Sequence, residues 1–111
     1  MSDIFVDADA CPVKQEIYRV AKRYARKVTL VSNSPMRIPH EAWLTLVVVD
    51  GQFDAVDDWI VGHVTESDIV ISGDIPLASR CLAKGAVVLD LRGGVFTEDS
   101  IGEALASREL L

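Results

Sequence analysis

The sequence predicts an α/β fold, a three-layer sandwich whose mainly parallel sheet has about five strands. Three observations lead there. Short apolar runs such as Ile4-Phe5-Val6 and Ile69-Val70-Ile71 lack the polar alternation of a half-exposed strand, as strands covered on both faces do. Between such runs lie segments with apolar residues at three- and four-residue steps, so strands alternate with helices. The first run leads straight into Asp7, and the fourth reaches Asp74 after Ser72-Gly73.

Ile4-Phe5-Val6 is the first strand and stops at Asp7-Ala8-Asp9. Pro12 suits the first turn of a helix, and Val13, Ile17, Val20, Ala21 and Tyr24 form one apolar stripe along it. Val28 to Val31 is the second strand, followed by a loop, Ser32 to Pro39, held by two prolines. Leu44 to Val49 is the third, broken by Asp50-Gly51, and Ala55 to Val64 is a helix with Val56, Ile60 and Val64 inward. Asp68 to Ser72 is the fourth strand. Asp74-Ile75-Pro76 opens a helix to about Lys84, where Gly85 supplies a left-handed cap. Ala86 to Leu89 is the fifth strand, Arg92-Gly93-Gly94 a turn, and Thr97-Glu98-Asp99 starts a last helix through Ala106.

At 111 residues, half of them hydrophobic and a quarter charged, residues 1–111 are expected to form one domain with its own core. It folds alone or as a small homo-oligomer. No apolar run is long enough to span a bilayer and the start lacks a signal peptide's pattern, so a cytoplasmic protein with no membrane partner is expected. Cys11 and Cys81 lack the spacing of a zinc site and read as buried free thiols. The net charge of −6 conceals a basic stretch: residues 12–27 carry six bases against Glu16, a net of +5 on a remainder of −11. That stretch is either a solvated helix face or a track for a phosphate backbone.

Sites in such sheets lie outside the carboxyl ends of the strands, where Asp7, Asp9 and Asp74 fall. Hard cations such as Mg²⁺ or Mn²⁺ take oxygen ligands, so these three are the candidate metal ligands. Helix capping would account for Asp9 and Asp74 singly, but not for Asp7 at the end of a buried strand beside other acids. Asp54 as N-cap with Asp57 and Asp58 in the first turn is an ordinary helix start, yet a helix beginning at the same rim makes Asp57 a fourth member of the acidic set. Asp90 is a weaker candidate. Asn33, Arg37 and Arg92, on loops after strands, are candidates for phosphate contact. His40 and His63 have no partner at ligand spacing and read as surface residues. Cys11 at a helix start does not make a phosphatase loop, because Ile17 stands where an arginine is needed.

The segments Val6-Asp7-Ala8-Asp9-Ala10-Cys11-Pro12-Val13, Leu30-Val31-Ser32-Asn33 with Arg37 and Pro39, Asp68 to Ala78, and Lys84-Gly85-Ala86 together resemble the YaiI/YqxD family of bacterial proteins, a family of unknown function grouped with PIN-like folds. The resemblance runs nearly end to end. It implies a PIN-like domain related to metal-dependent ribonucleases, with Asp7 resembling the first PIN acid, Asp74 the acid of a Ser/Thr-x-Asp motif, and Asp57 the acid at the start of the middle helix. Relatives continue through another helical segment beyond the position of Leu111 and carry Asn-Pro-Arg-Gly where this chain has Asp90-Leu91-Arg92-Gly93.

The first function expected is therefore a phosphodiesterase acting on single-stranded RNA, with Asp7, Asp9, Asp57 and Asp74 catalytic. A non-catalytic binding or regulatory domain is the alternative. The pair Asp7-x-Asp9 with Gly73-Asp74 also resembles the haloacid-dehalogenase phosphatases, with Asp7 as nucleophile and Asp9 as acid/base. Against that, Cys11 and Ala78 depart from the phosphatase pattern, and no clear catalytic lysine or cap domain is apparent.

Overall fold

The computed structural model describes residues 2–51 and 54–110. Among them run β1 (Ile4–Asp7), α1 (Lys14–Arg23), β2 (Val28–Ser32), β3 (Leu44–Val48), α2 (Ala55–His63), β4 (Ile69–Ile71), α3 (Ile75–Ala83), β5 (Val87–Leu89) and α4 (Glu98–Leu110). The strands form one parallel sheet in the order β3-β2-β1-β4-β5. The α/β sandwich read from the apolar runs is the observed architecture.

The chain starts in the middle of the sheet, at β1, lays β2 and β3 to one side, then crosses over to lay β4 and β5 on the other. Ile4 lies opposite both Val28 and Ile69, and Val6 opposite both Leu30 and Ile71. Crossovers of one hand running in opposite directions put their helices on opposite faces. Alternate strand residues divide accordingly. Phe5, Val31, Val70 and Val88 pack with Val56, Ile60, Leu77, Cys81 and Ile101, from the three helices α2, α3 and α4. Ile4, Val6, Val28, Leu30, Leu44 and Ile71 face the other way, toward Ile17, Tyr18 and Ala21 of α1 alone.

One helix against that second face corrects the expected stripe of α1. Ile17 and Ala21 are buried as predicted, but Val20 and Tyr24 are 53% and 60% exposed, and Tyr18 is buried in their place. Among the described residues, no second helix meets the side of α1 turned toward β4. The helix also starts later than Pro12, at Lys14, with Val13 as a cap that makes no side-chain bond. At the other end α4 runs to Leu110, beyond the expected Ala106. Gly85 is at φ +84° after α3, as its place in the sequence predicts, and a Cβ there would stand 3.1 Å from Glu66 Cγ. Cys11 and Cys81 are buried free thiols. No helix among the described residues is long and apolar enough to cross a membrane.

Candidate functional site

Because all five strands run the same way, their carboxyl ends share one rim, and the reversal of strand order opens a crevice there between β1 and β4. Asp7 is the last residue of β1, and β4 ends one residue before Ser72. The Ser72 hydroxyl, wholly buried, donates to Asp7 Oδ2 at 3.0 Å and accepts the backbone N–H of Asp74 at 3.0 Å. One serine therefore ties the first acid to the loop that carries the third.

Asp74 is the N-cap of α3, ahead of Pro76, and its Oδ1 accepts the N–H of Leu77 at 3.0 Å. The cap uses Oδ1, and Oδ2 has no hydrogen-bond partner among the described residues. Asp57 approaches from the first turn of α2, whose N-cap Asp54 makes no side-chain cap bond. The Asp57 carboxyl is pushed up from 3.8 to about 6, first by burial and then by the charges of Asp74, Asp7 and Asp54, with Arg80 opposing. Asp7 is also raised, by burial above all and then by Asp74 and Asp9, against the stabilising bond from Ser72. The charge of Asp74 thus disfavours the ionisation of both Asp7 and Asp57.

Asp9 has a different setting. It lies in a single 3₁₀ turn, Ala8–Ala10, that follows β1 directly, and it does not cap α1 as a residue just ahead of Pro12 was expected to. Instead Oδ1 accepts the Ser32 hydroxyl and Oδ2 accepts the Asn33 N–H at 2.8 Å, which pins the turn to the end of β2. The buried serines that follow the apolar runs of β2 and β4, Ser32 and Ser72, each hold one acid of the rim. Their sequence signal is a hydroxyl directly after an otherwise apolar strand core.

The other sequence candidates are spread more widely. Asn33 stands at the rim through its bond to Asp9, and Arg92 lies in the turn after β5, exposed. Arg37 is exposed on the β2–β3 loop between Met36 and Ile38, which pack against the α1-side core. Asp90 serves its own turn, accepting the N–H groups of Arg92 and Gly94 at 2.9 and 2.8 Å. Asp58 pairs with Arg80 across α2 and α3 at 3.0 Å, an exposed bond worth at most about 1 kcal/mol. His40 is exposed, and His63 stacks on Trp59 with centroids 3.7 Å apart on the surface of α2. The basic segment begins with Lys14 at the start of α1 and ends beyond that helix, where Arg26 Nη1 donates to the Ser2 carbonyl at 3.4 Å. Only the start of that basic segment lies near the acids.

Among the described residues, no three His, Cys, Asp or Glu side chains stand ready-made as a metal site. The donor chemistry nonetheless suits a hard cation, since the rim offers carboxylate oxygens under mutual repulsion. Asp57 also fixes a pH signature for the metal-free protein. Its proton is held to about 6 in the fold and 3.8 outside it, so the folded state binds more protons between those values. This group weakens the fold fully above pH 6, and stability is recovered as the pH falls toward 4. Asp57→Asn should raise the melting temperature at pH 7.5 in EDTA and remove this part of the gain on acidification. Melting curves identical in slope to the parent's would contradict the assigned interaction.

A family model described as "Uncharacterized BCR, YaiI/YqxD family" matches residues 5–111. A UPF0178 protein of Rhodospirillum centenum is 56% identical over all 111 residues, which cover 72% of that relative. One from Gluconacetobacter diazotrophicus is 52% identical, again over the whole chain and 72% of the relative, and one from Agrobacterium fabrum is 51% identical over 96% of the chain and 70% of the relative. No solved structure matches.

Proposed function

The chain belongs to the YaiI/YqxD family, and from that premise we propose that it is a metal-dependent phosphodiesterase acting on single-stranded RNA. One observation carries the reading. Asp7 at the end of β1, Asp57 in the first turn of α2 and Asp74 at the N-cap of α3 stand on the carboxyl-end side of the sheet, where burial first and then the Asp74 charge raise both Asp7 and Asp57. A fold tolerates such a cluster when a counter-charge belongs there.

Asp7 and the free oxygen of Asp74 would hold Mg²⁺ or Mn²⁺, with Asp9 contributing a remaining lone pair from a carboxylate already fixed by Ser32 and Asn33. When bound, the cation supplies Lewis acidity toward a phosphate and lowers the pKa of a coordinated water. Ser72 keeps Asp7 and the Asp74 backbone in register. Asp57 accepts the proton of the attacking water, and Asn33, Arg37 and Arg92 steady the phosphate backbone. A second reading, a binding or regulatory domain without chemistry, is favoured by the structural bonds that Asp9 and Asp74 already make.

The deciding experiment incubates the protein with a 5′-labelled single-stranded RNA in Mn²⁺ and in EDTA. Cleavage that needs the metal and disappears in Asp7→Asn supports the phosphodiesterase. Intact RNA with Mn²⁺ demonstrably bound by calorimetry supports the non-catalytic reading.

A further inference from the structure

The basic end of α1 borders two clefts that share one tryptophan. Trp43, the residue before β3, is fixed twice: its carbonyl accepts the Val28 N–H at 2.8 Å, and its ring meets Tyr18 edge-on with centroids 6.0 Å apart. One cleft, of about 400 Å³, is lined by Trp43 together with Lys22, Arg26 and Lys27. The other, of about 260 Å³, is lined by Trp43 together with Arg19, Lys22 and Glu41. Ala25, at φ +53°, turns the chain back at the end of α1, so that the Arg26 N–H reaches the Ala21 carbonyl at 2.9 Å and the last two bases join the first cleft. Across the two clefts Arg19, Lys22, Arg26 and Lys27 stand against Glu41 alone, on a chain of net charge −6. Arg80 and Asp58 form the only salt bridge among the described residues, and none of those four bases is paired with a described carboxylate.

We propose that these clefts bind single-stranded nucleic acid, with a base stacked on Trp43 and phosphates on Arg19, Lys22, Arg26 and Lys27. Free cations around an aromatic ring hold a single strand without reading its sequence, since every base has a face to stack and every nucleotide carries a charge. The helix dipole accounts for Lys22 and Arg23 in the last turn of α1, but it does not extend to Arg19 and places no tryptophan. Core packing accounts for the part of Trp43 that meets Tyr18, and not for the part that lines both clefts. An anionic membrane would use the exposed Val20 and Tyr24 of the same helix, but concave clefts suit a strand better than a flat bilayer surface. The surface is separate from the acidic rim. Lys27 and Trp43 directly precede β2 and β3, at the amino ends of parallel strands, and the five residues of β2 put about 16 Å between that edge and the carboxyl ends. Binding there requires neither the cation nor the chemistry proposed for the rim.

The test titrates the protein, in EDTA and at low salt, into fluorescein-labelled oligouridylate and oligothymidylate of about 12 nucleotides and follows anisotropy. Both should bind, with an affinity that falls as salt rises. EDTA silences metal-dependent cleavage, so failure to bind and failure to cleave are separate results. Lys22→Glu, at an exposed helix position shared by both clefts, should keep the melting temperature, weaken binding about tenfold and flatten the salt dependence. Trp43→Phe, which keeps a ring, should bind about fivefold more tightly than Trp43→Leu, with the same salt dependence. Lys22→Glu decides by itself if Trp43→Leu does not fold. The proposal is overturned if neither oligomer binds, if Lys22→Glu binds as the parent does, or if folded Trp43→Leu binds as tightly as Trp43→Phe. Sedimentation of the protein with phosphatidylserine vesicles, without binding of either oligomer, would overturn it in favour of a membrane.

Discussion

Asp74→Asn should melt at the same temperature as the parent protein or higher in EDTA, and should gain little from Mn²⁺. The substitution separates the two tasks of this residue. As N-cap of α3 it accepts the Leu77 N–H, and asparagine caps nearly as well as aspartate. As a charge it raises both Asp57 and Asp7, so its neutralisation relieves repulsion in the metal-free protein. With the cation present the sign reverses, because a ligand has been lost. Stabilisation by a bound ligand follows RT ln(1 + [L]/Kd), about 2.7 kcal/mol at a concentration of 100 Kd, and most of that shift should vanish in the variant. A variant clearly less stable in EDTA that keeps the full Mn²⁺ shift would make Asp74 a fold residue only.

Asp68→Ala should destabilise the protein by about 3 kcal/mol, a fall in melting temperature of roughly 10–20 °C, with or without metal. Asp68 is buried at the opposite rim, ahead of β4. Its Oδ1 accepts the Asp3 N–H at 3.0 Å, and its Oδ2 accepts the Thr65 N–H at 2.9 Å and the Thr65 hydroxyl at 2.7 Å. Removal leaves those donors without their acceptor and unties the start of β1 from the turn before β4. Burial acts to raise the Asp68 carboxyl, but the bonds from Asp3 and Thr65 together hold it below the usual 3.8. This group therefore supports the fold in full above pH 3.8 and loses that support on further acidification, opposite in sign to Asp57. A loss under about 1 kcal/mol in urea titrations would show that water replaces the carboxylate at no cost.

The contrast between these two aspartates bears on what a sequence discloses. Strand cores such as Ile4 to Val6 and Ile69 to Ile71 were legible because burial on both faces leaves unbroken apolar runs, and alternation with helical periods then dictates a parallel sheet. Asp7 and Asp74 were legible as site residues for the same reason, since position at a strand end follows from the strand. The partners of the acids were not. Ser72 joins Asp7 across 65 residues and Ser32 joins Asp9 across 23, contacts made only once β2 and β4 flank β1. Val20 and Tyr24 fit the apolar period of α1, yet periodicity cannot tell how many helices share a face. Ala25, at φ +53° after α1, ends a helix where no glycine announced the turn.

The central claim is that Asp7 and Asp74 share one cation, and anomalous diffraction from a crystal soaked in millimolar Mn²⁺ tests it most directly. The account predicts a single strong peak at the β1–β4 crevice within about 2.0–2.6 Å of a carboxylate oxygen from each residue. A crystal with these side chains ordered and no peak within coordination distance of either would contradict it.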